Sequence, residues 1–270
     1  MESSFSVGYR ELVQRSLRDA LRGDDLVLCL ALMNARTPDV PAIAAACGYD
    51  AVYVDLEHTS TSLETAAMLC ASAVGAGISG LVRVPSHDPS VIARVLDAGA
   101  VGIIVPHVNS REEAESVVAA ARFPPDGHRS ISGPNPVSGY EPMPASDLTA
   151  VLESRTVVAV MIETAAAVEA SSTIAAVDGV DMILLGPSDL TAEMGIHGQY
   201  ENDHFHHAVD SVAAACREHG VALGIAGIKS VDLLKRFIGL GLRFISAGTD
   251  VGMMTEAARA RARVLRELET

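Results

Sequence analysis

The chain predicts a closed (β/α)8 barrel of the TIM type, folded as a single domain over residues 1–270. Three observations predict it. Short runs rich in β-branched residues recur eight times, each run is apolar through most of its length, and a longer stretch of helical character follows each one. A strand apolar on both faces is covered on both faces, and a helix after every strand marks parallel pairing through crossovers. Eight such units close a barrel, with a doubly wound open sheet as the competing arrangement.

In chain order, residues 1–25 form an amphipathic helical extension ahead of the barrel. Strand runs follow at 26–33 (LVLCLALM), 51–55, 80–84 (GLVRV), 101–105 (VGIIV), 156–162 (TVVAVMI), 181–185, 222–225 and 243–246. Helical periodicity occupies, among others, 61–75, 88–97, 110–121, 203–218, 229–239 and 250–267. Residues 123–144 (FPPDGHRSISGPNPVSGYEPMP) carry too much Pro and Gly for either element. A loop of that length is expected to be a lid at the mouth or an interface segment, with a plain excursion as the alternative.

Composition bounds the function. With 49% hydrophobic but only 4% aromatic residues, the core is aliphatic. Twenty Lys and Arg against 34 Asp and Glu leave a formal charge of −14. That charge opposes phosphate-backbone binding, and no basic tract is offered to an anionic membrane. Nucleic acid and membrane are therefore excluded as partners. Cys29, Cys47, Cys70 and Cys216 are scattered without a CxxC, so they read as reduced core residues of a cytoplasmic protein. The opening MESSFSVGYRELVQRSLRDAL has no uninterrupted apolar segment of the signal-peptide kind.

A (β/α)8 barrel carries its site at the C-terminal ends of the strands, so the polar residues closing each run are the candidates. Strand 2 ends in Asp55, Glu57 and His58, strand 3 contains Arg83, strand 4 ends in Pro106 and His107, strand 5 ends in Glu163, and strand 6 leads into GPSDL, 186–190. Glu163 and Asp189 suit a hard divalent ion that leaves positions open for water and substrate oxygens. Their structural alternatives are helix-capping roles. Arg83, inside an otherwise apolar run, suits an oxyanion that develops during reaction, or else pairs with Glu57. His58 is the strand-end group suited to acid–base work near neutral pH. The consecutive N–H groups of GPSDL can hold a small carboxylate without a cation.

These residues carry a resemblance. DLEH (55–58), LVRVP (81–85), DAGAVGIIVPHV (97–108), RFPPDGHR (122–129), IET (162–164) and GPSDL with TAEMG (186–195) are similar to the HpcH/HpaI aldolases, the metal-dependent class II pyruvate aldolases. The resemblance implies reversible retro-aldol cleavage of a 4-hydroxy-2-oxo acid to pyruvate and an aldehyde through a pyruvate enolate on Mg2+, Mn2+ or Co2+. It also implies a hexamer with an exchanged C-terminal helix. It assigns Glu163 and Asp189 as metal ligands, His58 as the base and Arg83 as the transition-state stabiliser. Asp55 joins the catalytic set, and the backbone at Ser188 and Asp189 clamps the pyruvate carboxylate. Asp97 matches an acid that raises the basicity of the histidine, although this topology puts it at the opposite end of its own barrel. Met161 stands where the family has a substrate-touching glutamine, and Arg129–Ser130 replaces the usual RG.

Ala226, with Asn34, Arg36, His87 and the 123–144 loop, is expected to read the aldehyde half. Lys229 is the only late candidate for Schiff-base chemistry. Two other functions compete: an enolate-forming lyase or decarboxylase on an oxaloacetate-like or CoA-ester substrate, and a non-catalytic metabolite-binding barrel. Chelator-sensitive pyruvate release separates the aldolase from the last.

Overall fold

Eight parallel strands close on themselves in sequence order: β1 (Val27–Leu32), β2 (Ala51–Asp55), β3 (Ser79–Arg83), β4 (Gly102–Val105), β5 (Val157–Ile162), β6 (Met182–Leu185), β7 (Ala222–Ala226) and β8 (Leu242–Thr249). This computed structural model describes residues 16–269. The open-sheet alternative is thereby excluded, because β8 pairs back onto β1. Each predicted run coincides with a strand; the main difference is at β8, which continues to Thr249.

The double coverage that made the runs continuously apolar is visible in two cores. Alternate residues such as Cys29, Tyr53, Leu81, Ile104, Met161 and Leu184 fill the lumen. Their neighbours, among them Leu30, Val52, Val82, Ile103, Val160 and Leu185, pack under the surrounding helices. The helices begin where the sequence supplies caps: Ser62, Ser110 and Ser230 each accept a backbone N–H from the first turn of α3 (Leu63–Gly75), α5 (Arg111–Ala121) and α11 (Val231–Gly239).

Of the N-terminal extension, α1 (Leu17–Arg22) is helical, the chain bends out of the helix from Gly23, and residues 1–15 of the expected helix lie outside the described residues. Leu17 and Leu21 enter the lumen core, so α1 plugs the floor of the barrel. Arg18 fixes it there through a 2.7 Å bond from Nε to Asp181 Oδ1.

Two helices less legible in the sequence complete the wall. Both α2 (Asp39–Ala46) and α6 (Ala145–Arg155) start after a proline and lack a side-chain cap. Pro41 is tolerated in the first turn of α2, where its missing N–H would have no helical partner.

The 123–144 segment does not reach the mouth of its own barrel, which corrects the expectation of a lid there. It packs at the floor. Asn135 Nδ2 donates to Leu96 O at 3.2 Å, Arg155 Nη1 donates to Val137 O at 3.2 Å, and Phe123 and Val137 form a small core with Leu148 and Leu152 of α6. The physical reason is direction: the segment follows α5, which runs back from mouth to floor. Pro136 lies so close to Gly99, at φ 108, that no side chain fits there. A 3-10 turn at Pro136–Ser138, capped by Asn135, gives the segment local order.

Candidate active site

The lumen-facing row of each strand, continued one step past its apolar residues, becomes polar at the C-terminal end. Asp55 lies two beyond Tyr53, Arg83 two beyond Leu81 and Glu163 two beyond Met161. Strand register brings Asp55 opposite Arg83. The guanidinium meets the fully buried Asp55 in a two-pronged pair, Nε to Oδ1 and Nη2 to Oδ2, both 2.8 Å. Its remaining edge, Nη1, lies 3.0 Å from Glu57 Oε2 as an ion contact. Burial works against the charge of Arg83, but the Asp55 hydrogen bonds and the nearby carboxylates outweigh it and raise its pKa. The guanidinium thus stands permanently charged and pre-oriented at the mouth.

Glu163 is 3% exposed. Burial pushes its carboxyl pKa up, the backbone N–H and imidazole of His107 pull it down, and the negative charges of Glu57 and Asp189 push it up again. A Cβ on Gly186 would collide with Glu163 Oε1, so glycine keeps open the space beside the carboxylate. Asp189 sits exposed in the first turn of α9 (Pro187–Glu193), next to Ser188. Among the described residues, no three His, Cys, Asp or Glu side chains gather into a complete metal cage. Two carboxylates converging beside open space nevertheless fit a hard divalent cation completed by water and substrate oxygens. A cation would also relieve the like-charge crowding on Glu163.

His58 is on the same rim, mostly exposed, with Nε2 3.6 Å from Glu57 Oε2. Met161 is buried one layer below Glu163. Ala226 ends β7, half-buried at the mouth. Arg36 lies on the loop after β1, where its Nη1 donates to Met33 O and Ala35 O. The imidazole of His87 bonds Pro106 O at 2.8 Å, so it braces the β4 loop. Asp97 ends α4 (Pro89–Asp97) at the floor and pairs with Arg129 Nη2 at 2.8 Å. It stands at the opposite end of the barrel from His58 of the same chain.

Two groups to which the sequence assigned no catalytic role are central here, although Glu57 was the expected alternative partner of Arg83 and does contact it. Glu57 and His107 bridge the site: His107 Nε2 lies 3.3 Å from Glu57 Oε1, and its Nδ1 lies 3.3 Å from Glu163 Oε2. The backbone of His107 adopts φ 54, uncommon for histidine, and donates its N–H to Glu163 Oε2 at 3.1 Å. The signal for both was their place at strand ends in DLEH and VPHV, but their meeting depends on the lateral pairing of β2 through β5.

Comparison with known proteins agrees with this geometry. The sequence profile of the HpcH/HpaI aldolase/citrate lyase family matches residues 30–257. The chain is 36% identical to the 4-hydroxy-4-methyl-2-oxoglutarate aldolase tasA of Hapsidospora irregularis, over 86% of this chain and 88% of that protein. It is 38% identical to a 4-hydroxy-2-oxovalerate aldolase of Novosphingobium aromaticivorans, over 87% and 88%. A crystal structure of an HpcH/HpaI aldolase from Desulfitobacterium hafniense superposes with a TM-score of 0.88 at 28% identity, covering 93% of this chain and 97% of that one. A profile spanning residues 30–257, most of the chain, together with the barrel fold, establishes that the protein belongs to the HpcH/HpaI aldolase/citrate lyase family.

Proposed function

We propose that the protein cleaves a 4-hydroxy-2-oxo acid reversibly to pyruvate and an aldehyde, as a carbon–carbon lyase dependent on Mg2+, Mn2+ or Co2+. The observation that carries this reading is the convergence of Glu163, Asp189 and Arg83 on one mouth: two carboxylates for a cation, and one fixed positive charge for an enolate. A divalent cation held by Glu163 and Asp189 would supply Lewis-acid polarisation of the 2-oxo group.

The protein's own residues do the rest. Arg83, braced by Asp55, presents a charge that needs no reorganisation as the enolate oxygen forms. His58, exposed on the rim beside Glu57, takes the 4-hydroxyl proton directly or through water. The backbone at Ser188 and Asp189 holds the pyruvate carboxylate, and Met161 presents an apolar floor. Among the described residues no lysine lies within a strand; Lys229 stands in the loop after β7, and cleavage through the enolate needs no lysine.

The exposed apolar residues of α12 (Asp250–Arg266), Met254, Val264 and Leu265, support assembly through that helix into a homo-oligomer, a hexamer by resemblance. Free cysteines fit a cytoplasmic setting.

The test is pyruvate release from 4-hydroxy-2-oxo acids. The proposal requires it to stop with EDTA and return with Mg2+, Mn2+ or Co2+. Turnover insensitive to the chelator, or none with any hydroxy-oxo acid, overturns it.

A further inference from the structure

We propose that Asp250, the first residue of α12, is the positioning residue for the acceptor-aldehyde side of the mouth. Its carboxylate locks the loop after β1 to the start of the C-terminal helix. The inference rests on the aldolase reading and deepens it by naming what sets the geometry of its second substrate.

The argument begins at the seam where the barrel closes. Strands β1 and β8 pair regularly from Val27 opposite Phe244 to Cys29 opposite Ser246, then slip so that Ala31 faces Thr249. Past Leu32, whose last ladder partner is Val54 of β2, the chain leaves the sheet at the mouth. Three consecutive N–H groups there turn to one side chain instead: Met33 N to Asp250 Oδ1 at 3.0 Å, and Asn34 N and Ala35 N to Oδ2 at 3.0 and 2.7 Å. A fourth, Val251 N, reaches Oδ1 at 2.8 Å. Successive backbone N–H groups aimed at one point form an anion-binding nest, and Asp250 supplies the anion from within the chain. Hydrogen bonds to a full charge are roughly twice as strong as neutral ones, so this single residue seals the seam at the mouth.

The other end of the linkage is equally short. α12 has no buried residue along its length, so its first turn is its main attachment to the barrel. Thr249 caps that turn through Gly252 N at 2.9 Å, and Gly248 before it adopts φ 152, a conformation that favours glycine. The helix therefore leaves the barrel at a fixed angle through Asp250. The loop it grips carries Asn34 and Arg36, and Arg36 folds back onto the Met33 and Ala35 carbonyls of the same segment. Any displacement of Asp250 swings both side chains at the mouth, whereas Arg83, Glu163 and Asp189 stand on other strands and stay in place.

The experiment uses the full chain with Asp250→Ala and Asp250→Asn. Asn keeps the shape but turns one acceptor oxygen into a donor, so it must lose bonds from the loop. Amide hydrogen exchange at residues 33–35 should accelerate about tenfold or more in both variants. The KM for the acceptor aldehyde should rise about tenfold, while exchange of the pyruvate methyl protons with solvent, which involves no aldehyde, stays within about twofold of wild type. Protected amides in both variants overturn the proposal, as does a parallel fall of aldehyde use and pyruvate exchange. If the wild type neither exchanges pyruvate protons nor makes an aldol, the aldolase reading fails, and the amide exchange still decides whether Asp250 holds the loop.

Discussion

Asp55 and Arg83 face each other across adjacent strands, and each oxygen of the carboxylate accepts one bond from the guanidinium. The pair is buried, so removing one member strands a charge. Asp55→Ala is expected to cost about 3–5 kcal/mol of stability. Arg83→Lys keeps the charge but cannot form the two-pronged pair, so it should lower kcat by at least about tenfold while changing KM little. Chemical denaturation of the first variant and steady-state kinetics of the second check these outcomes; a loss confined to KM contradicts the role of Arg83.

Glu163 gives a pH prediction. Its folded-state pKa is raised, mainly by burial, so between the ordinary carboxylate pKa of about 4.3 and the raised value the folded state binds more protons than the unfolded one. Stability of the metal-free protein therefore falls as pH rises through that window. Glu163→Gln keeps an acceptor for the His107 N–H and removes the charge. In EDTA at neutral pH it should raise Tm by roughly 2–4 °C, an advantage that vanishes well below pH 4. The same variant should have no metal-dependent turnover. An unchanged or lower Tm at neutral pH would show that the carboxylate is not crowded.

Asp189 makes the contrasting case. It is exposed, so Asp189→Asn should leave stability within about 0.5 kcal/mol of wild type. Mn2+ affinity, measured by calorimetry, should nevertheless fall at least about tenfold. Equal Mn2+ binding in the variant would remove Asp189 from the ligand set.

The small Ala226 at the end of β7 leaves room beside the site. Ala226→Leu should narrow the range of aldehydes accepted. Arg36 uses one nitrogen on its own loop and has others to spare, so Arg36→Ala should selectively lower kcat/KM for acidic aldehydes such as succinic semialdehyde. A panel of neutral and acidic aldehydes decides both; equal losses across the two classes would place Arg36 outside the pocket.

The thiols should separate by burial. Cys29, Cys70 and Cys216 are buried, and burial pushes the thiols of Cys70 and Cys216 up to about 12, whereas Cys47 is exposed. Brief alkylation of the native protein followed by peptide mapping should label Cys47 alone. Rapid labelling at Cys70 would indicate an opened α3.

By itself the sequence determined the barrel, because continuous apolar runs followed by helices leave few other ways to cover both faces of a strand. It also determined which residues could do chemistry. Asp55, Arg83 and Glu163 occupy lumen-facing positions of strands whose other residues are apolar, and a charge there stands out against its neighbours. Tertiary structure decided what those residues do to one another. Only the parallel pairing of β2, β3, β4 and β5 places Glu57 and His107, distant in sequence, between Arg83 and Glu163. Only chain direction sends the 123–144 segment to the floor, and only the closing β1–β8 seam brings three N–H groups past β1 to Asp250. Local pattern reports burial, which each residue feels separately; partnership depends on register and closure, which no single stretch of chain contains.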